Sequence, residues 1–208
     1  MQKLLIGIVA LGLLVGRLAA AGVVNGDFSS GNTGFSSSYT YVISSPTVGN
    51  YTVTSNPQNF NAGLFSFGDH TTGSGQMMVI DGYQPGVVVW NETVTVTPQT
   101  NYSFSGWFRA TWGGNVAQIV MTAANGPTNL GSLTPTAITD TQWTQLALNF
   151  NSGSASSVTL SFTDQNANYL QTGDDFAADD LALAPVPAPE PASIVCLATG
   201  LVLLSRRR

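Results

Sequence analysis

Two sets of residues in this chain have side chains that could do chemistry. Trp107, Arg109 and Trp143 bring together two indoles and a guanidinium. Indole faces stack on the C–H faces of pyranose rings and a guanidinium fixes hydroxyls, so these three form a candidate sugar-binding surface. The second set is acidic. Asp174-Asp175 and Asp179-Asp180 are carboxylate doublets, and facing carboxylates are the machinery of glycoside hydrolysis. Consecutive strand residues point to opposite faces, however, so neither doublet is expected to make a facing pair by itself.

His70 is the only histidine, and no serine sits in a Gly-x-Ser-x-Gly elbow. A hydrolase triad therefore lacks its parts, and His70 reads as a loop residue. With no nucleophile, metal triad or cofactor loop legible, the chain is expected not to be an enzyme.

Charge narrows the partners. Between Gly22 and Pro187 there are ten acidic residues and a single basic one, Arg109. Such a domain repels phosphate backbones, which argues against nucleic acid; calcium, neutral sugars and proteins remain open. The one cysteine, Cys196, lies in the apolar tail, so no intramolecular disulfide is available.

The elements that must position these residues are strands. At 43% hydrophobic and 8% charged, with 22 glycines in 208 residues, the composition suits turns and short strands joined around one core. Alternating runs predict strands at Tyr39 to Ser44, Met77 to Ile80, Val87 to Val96, Tyr102 to Trp112, Val116 to Ala123, Trp143 to Phe150, Val158 to Thr163 and Phe176 to Leu183. Gly, Asn, Pro and Ser clusters separate them. In the fourth run Tyr102, Phe104, Phe108 and Trp112 share the predicted core face, while Trp107 and Arg109 share the other. Alternation also sets Asp179 on the face of Leu181 and Leu183, where an inward carboxylate needs a partner that a calcium ion would supply.

The two ends read as processing segments. In residues 1–21, Lys3 precedes an apolar run from Leu4 to Val15 and a small-residue stretch ends at Ala21, the pattern of a cleaved signal peptide. Residues 185–191 form a proline-rich linker, and residues 192–208 an apolar run closed by Arg206, Arg207 and Arg208. Ala192 to Leu204 as helix would reach only about 20 Å into a hydrocarbon core of about 30 Å. Pro189-Glu190-Pro191, the short apolar transmembrane helix and the terminal arginines together resemble the PEP-CTERM sorting signal of Gram-negative bacteria. That resemblance implies recognition and tail removal by an exosortase-type enzyme in the inner membrane. It also implies display at the cell surface or in an extracellular exopolysaccharide matrix.

A second resemblance covers residues 22–184. Val24-Asn25-Gly26-Asp27-Phe28 at the start, Phe67-Gly68-Asp69-His70 and Tyr102 to Trp107 in the middle, and Asp179-Asp180-Leu181-Ala182-Leu183 at the end are similar to galactose-binding-like, carbohydrate-binding-module-like jelly rolls. It implies an all-β, two-sheet antiparallel jelly-roll sandwich. It also implies a structural Ca2+ where the first and last strands meet, bringing Asn25 or Asp27 toward Asp179 or Asp180. The leading expectation is thus an exported carbohydrate-binding sandwich. A purely structural matrix or adhesion protein without a sugar site is the alternative, and a secreted glycan-active enzyme the third reading.

Overall fold

In the computed structural model, which describes residues 22–113, 116–139, 142–166 and 174–187, the alternating runs become eleven strands. They are β1 (Thr40–Tyr41), β2 (Asn50–Thr54), β3 (Met77–Ile80), β4 (Val88–Thr95), β5 (Asn101–Ala110), β6 (Gln118–Asn125), β7 (Thr128–Ser132), β8 (Thr136–Ala137), β9 (Thr144–Asn151), β10 (Ser157–Asp164) and β11 (Phe176–Pro185). One sheet has the order β1-β2-β3-β11-β5-β9. The other runs β4-β10-β6-β7, with β8 paired to β6. The pairs are antiparallel except β1 with β2, which run parallel, a departure from the all-antiparallel expectation. Tyr39 to Ser44 contributes only that two-residue strand.

Each inner face is a period-two stripe, so the sheets meet over a common core. Phe104 and Phe108 of β5 meet Trp90 of β4 and Phe162 of β10; all four are essentially buried. Trp90 stacks on Phe104 at 5.9 Å, and Phe108 stands edge-on to Phe162 at 5.2 Å. These are the offset and edge-to-face contacts that ring quadrupoles favour.

A second apolar cluster lies on the other face of the six-stranded sheet. Phe60, Leu64, Met77, Val79 and Ala177 form it, under the segment that carries a short 3-10 turn at Pro57–Asn59. Trp112 packs here rather than in the main core. Strand β5 ends at Ala110, so the alternation that would have turned Trp112 inward has stopped before reaching it. The outer face of this sheet is therefore covered over β2, β3 and the start of β11, and exposed at Ala182 and Ala184 with Ser103 and Ser105 half-buried beside them.

The leader, the Pro-Glu-Pro motif and the arginine-ended tail lie outside the described residues. No helix among those described is long and apolar enough to cross a membrane.

Candidate ligand groove

A bulge in β11 creates the site. Its ladder with β5 pairs Asp179 with Trp107 and then Ala182 with Ser105, leaving one extra residue on β11. Asp180 takes a positive φ of 49° there. An inserted residue flips the side-chain register, so Leu181 and Leu183 enter the main core while Asp179 shares the outer face with its partner Trp107. The expectation that Asp179 lies on the face of Leu181 is corrected by this one residue. Through the bulge both carboxylates of the doublet meet the same loop.

That loop spans residues 67–75. Asp179 Oδ2 accepts the backbone N–H of His70 at 2.9 Å and of Thr71 at 3.1 Å. The Thr71 hydroxyl is shared between Asp179 Oδ2 at 3.1 Å and Asp180 Oδ1 at 2.7 Å. His70 Nδ1 stands 2.6 Å from Asp180 Oδ2. Asp69 folds the loop on itself by accepting the N–H groups of Thr72 and Gly75 at 2.9 and 2.7 Å. Asp179 is fully buried, and that burial pushes its carboxyl up to about 6, against the backbone hydrogen bonds that favour the ionised form.

The loop roofs the aromatic surface. The His70 ring lies on Trp107 at 3.8 Å with 15° between planes. Trp143 meets His70 edge-on at 5.9 Å and Phe67 at 5.7 Å, and the Arg109 guanidinium sits 4.0 Å from the Phe67 ring centre. So Trp107, Arg109 and Trp143 do stand together, but beneath Phe67 and His70 rather than as an open platform. His70, read from sequence as an isolated loop residue, belongs to this constellation with Asp179 and Asp180. Phe67-Gly68-Asp69-His70 was its only signal, and nothing in the spacing of one histidine named Asp180 as its partner 110 residues away.

Trp107 is also where the roof ends. Beyond it lies an open groove of about 570 Å³, lined by Trp107, Ser105, Gln145, Asp180, Asn25 and Asp27 among others. The opening segment forms the far wall because Gly26 seals the bulge. Its carbonyl accepts the Leu181 N–H at 2.9 Å, and a Cβ at Gly26 would overlap the Leu181 carbonyl, so only glycine permits the crossing. The start and end of the domain thus meet as expected, bringing Asn25, Asp27 and Asp180 to one groove while Asp179 stays under the loop. Most of their oxygens are already engaged. Asn25 Oδ1 accepts from Ser30 N and its amide donates to the Gly31 and Thr33 carbonyls, and Asp27 Oδ1 accepts from Ser29.

No protein-family model and no curated protein sequence matches the chain. Solved structures do share its fold. A Stig cyclase, Fisc, from Fischerella sp. TAU in complex with an indole compound superposes with a TM-score of 0.60 at 11% identity, covering 82% of this chain and 99% of the cyclase. The CBM22-1–CBM22-2 tandem domain of Paenibacillus barcinonensis Xyn10C gives 0.56 at 15%, covering 84% of this chain and 49% of the tandem. The arabinose-bound α-L-arabinofuranosidase MgGH51 gives 0.54 at 18%, covering 82% of this chain and 27% of the enzyme. At such identities the likeness is one of fold.

Proposed function

We propose that this is an exported, non-catalytic sandwich that binds carbohydrate in the groove beside Trp107. The observation that carries the reading is the junction itself. A half-buried indole, with the His70 ring stacked on it, borders a groove whose polar lining includes Ser105, Gln145, Asn25, Asp27 and Asp180. An aromatic wall with a few hydrogen-bonding groups suits a polyhydroxylated ring. Aspartates without a facing lysine or arginine favour neutral or acetylated sugars over acidic ones. The names of two similar structures, a carbohydrate-binding-module tandem and an arabinose-bound glycosidase, support a sugar ligand.

Affinity electrophoresis of the full chain through neutral and acetylated polysaccharides tests this. Trp107→Ala is expected to weaken retention by roughly 1–3 kcal/mol, by analogy with stacking of bases on aromatic side chains. Gln145→Ala, at an exposed position, is expected to weaken retention with no change in melting. If the unsubstituted chain migrates freely through every polysaccharide, the structural-matrix reading takes the place of this one.

The sorting signal belongs to the same proposal. Pro189, Glu190 and Pro191 would be read by an exosortase-type enzyme while the apolar tail and Arg206, Arg207 and Arg208 hold the precursor at the inner membrane. Replacing the three motif residues by alanine is expected to leave the precursor in the membrane fraction. Undiminished release of that variant to the surface or medium refutes the signal.

A further inference from the structure

A second group of carboxylates closes one end of the sandwich, away from the groove. Asp81 follows β3, Asp174 and Asp175 precede β11, and Asp164 ends β10, so the group bridges the two sheets. Gly82 packs them together. Its N–H donates to Asp175 Oδ1 at 3.1 Å, and a Cβ on Gly82 would fall on the Asp174 carboxylate. Asp164 Oδ1 accepts the N–H groups of Gln118 at 2.7 Å and Asn166 at 3.0 Å.

Asp81 and Asp175 share a side-chain hydrogen bond, but two oxygens of the group are not served. Asp164 and Asp174 are 1% and 3% exposed, and Oδ2 of each is buried with no hydrogen-bond partner among the described residues. The charges that act on these groups are one another: Asp164, Asp175 and Asp81 on Asp174, and Asp175 on both Asp81 and Asp164. A buried carboxylate is costly unless paired or ligating a metal. Two buried, unpartnered carboxylate oxygens within a group of four carboxylates between the sheets are donors of the kind that hard cations take.

We propose that this end of the sandwich is a divalent-cation site, with Asp164 and Asp174 as its carboxylate ligands and Asp81 and Asp175 beside them. Among the described residues no three or more His, Cys, Asp or Glu side chains are placed to hold a metal ion as they stand. Closing the site therefore means drawing Asp164 and Asp174 together, the remaining positions going to carbonyls and water as oxygen-seeking cations prefer. Because the two ligands belong to different sheets, an ion here would clasp one sheet to the other. The site is separate from the seam of Asn25, Asp27 and Asp180 at the groove.

The test is thermal melting of the full chain at pH 8, stripped with chelator and then given calcium, magnesium or manganese. A cation present at about a hundredfold over its Kd is expected to raise Tm by roughly 5–10 °C. Asp164→Asn and Asp174→Asn should each abolish most of that rise. Both should still fold, since an amide fills the same space without the charge. Asp27→Asn combined with Asp180→Asn should keep the rise. The proposal is overturned if no cation shifts Tm, if the rise survives in the Asp164→Asn, Asp174→Asn double variant, or if it vanishes only in the Asp27→Asn, Asp180→Asn variant.

Discussion

Phe108→Ala is expected to lower the unfolding free energy by about 3–5 kcal/mol, the cost of emptying a fully packed aromatic site. Phe108 is fully buried and stands at the meeting of the sheets, edge-on to Phe162 at 5.2 Å and tilted toward Phe176 at 6.5 Å. Its removal strips ring contacts from both partners as well as apolar area. The surrounding strands belong to two hydrogen-bonded sheets and cannot collapse inward to refill the space. Urea unfolding followed by tryptophan fluorescence measures the loss. A change below about 1 kcal/mol would mean that the core yields far more than this packing implies.

The neighbouring residue separates stability from binding. Trp107 points to the opposite face and loses only the His70 stack and its share of the groove wall. Trp107→Ala should therefore loosen the 67–75 loop and weaken sugar retention while costing much less global stability than Phe108→Ala. If the order is reversed, Trp107 is a structural ring, and the groove loses its strongest argument.

How far the residues could be read in advance follows from where each strand's two faces go. Met77–Ile80 is the strand predicted, and β4, β5, β9 and β10 agree with their predicted runs to within a residue or two, because these runs are strongly apolar or have one face on the core. Asn50–Thr54 escaped notice because Tyr51 and Thr52 are both buried: the roof over the outer face removes the polar half of the alternation. Thr128–Ser132 escaped for the opposite reason, having no buried residue at all. The site was legible in its residue types but not in its geometry. Trp107 and Trp143 were correctly placed off the main core, yet a residue-by-residue pattern cannot reveal that residues 67–75 fold over them. The bulge was invisible as well. Its positive φ is carried by Asp180 rather than by a glycine, so no sequence marker announced the register shift that turns both Asp179 and Asp180 toward the loop.

Stability should also fall as pH rises from about 5 to 8 when divalent cations are chelated. Burial and mutual repulsion push Asp81 and Asp174 up to about 7, and burial pushes Asp164 and Asp179 up to about 6, against an ordinary value of 3.8. Asp175 and Glu92 are raised too, chiefly by burial. Tyr39, pushed up chiefly by burial and then by Asp164 and Asp174, stays protonated throughout. Between the ordinary carboxylate range and pH 7 the folded protein keeps protons that the unfolded chain has already released. The contribution of these groups is thus complete below the unfolded pKa and is lost as pH climbs through about 6 to 7. Each proton held in excess is worth about 1.4 kcal/mol per pH unit. After allowing for water around the half-buried Asp81 and Asp175, a Tm drop on the order of 10 °C between pH 5 and pH 8 is expected. Asp174→Asn should flatten the slope, because it removes one titrating group and relieves its neighbours. A cation bound at the end cluster should flatten it in the unsubstituted chain, by replacing lost protons with fixed positive charge. A Tm that stays level or rises from pH 5 to 8 in chelator would show that these carboxylates ionise without cost. They would then have to be far better solvated than their burial in this structure allows.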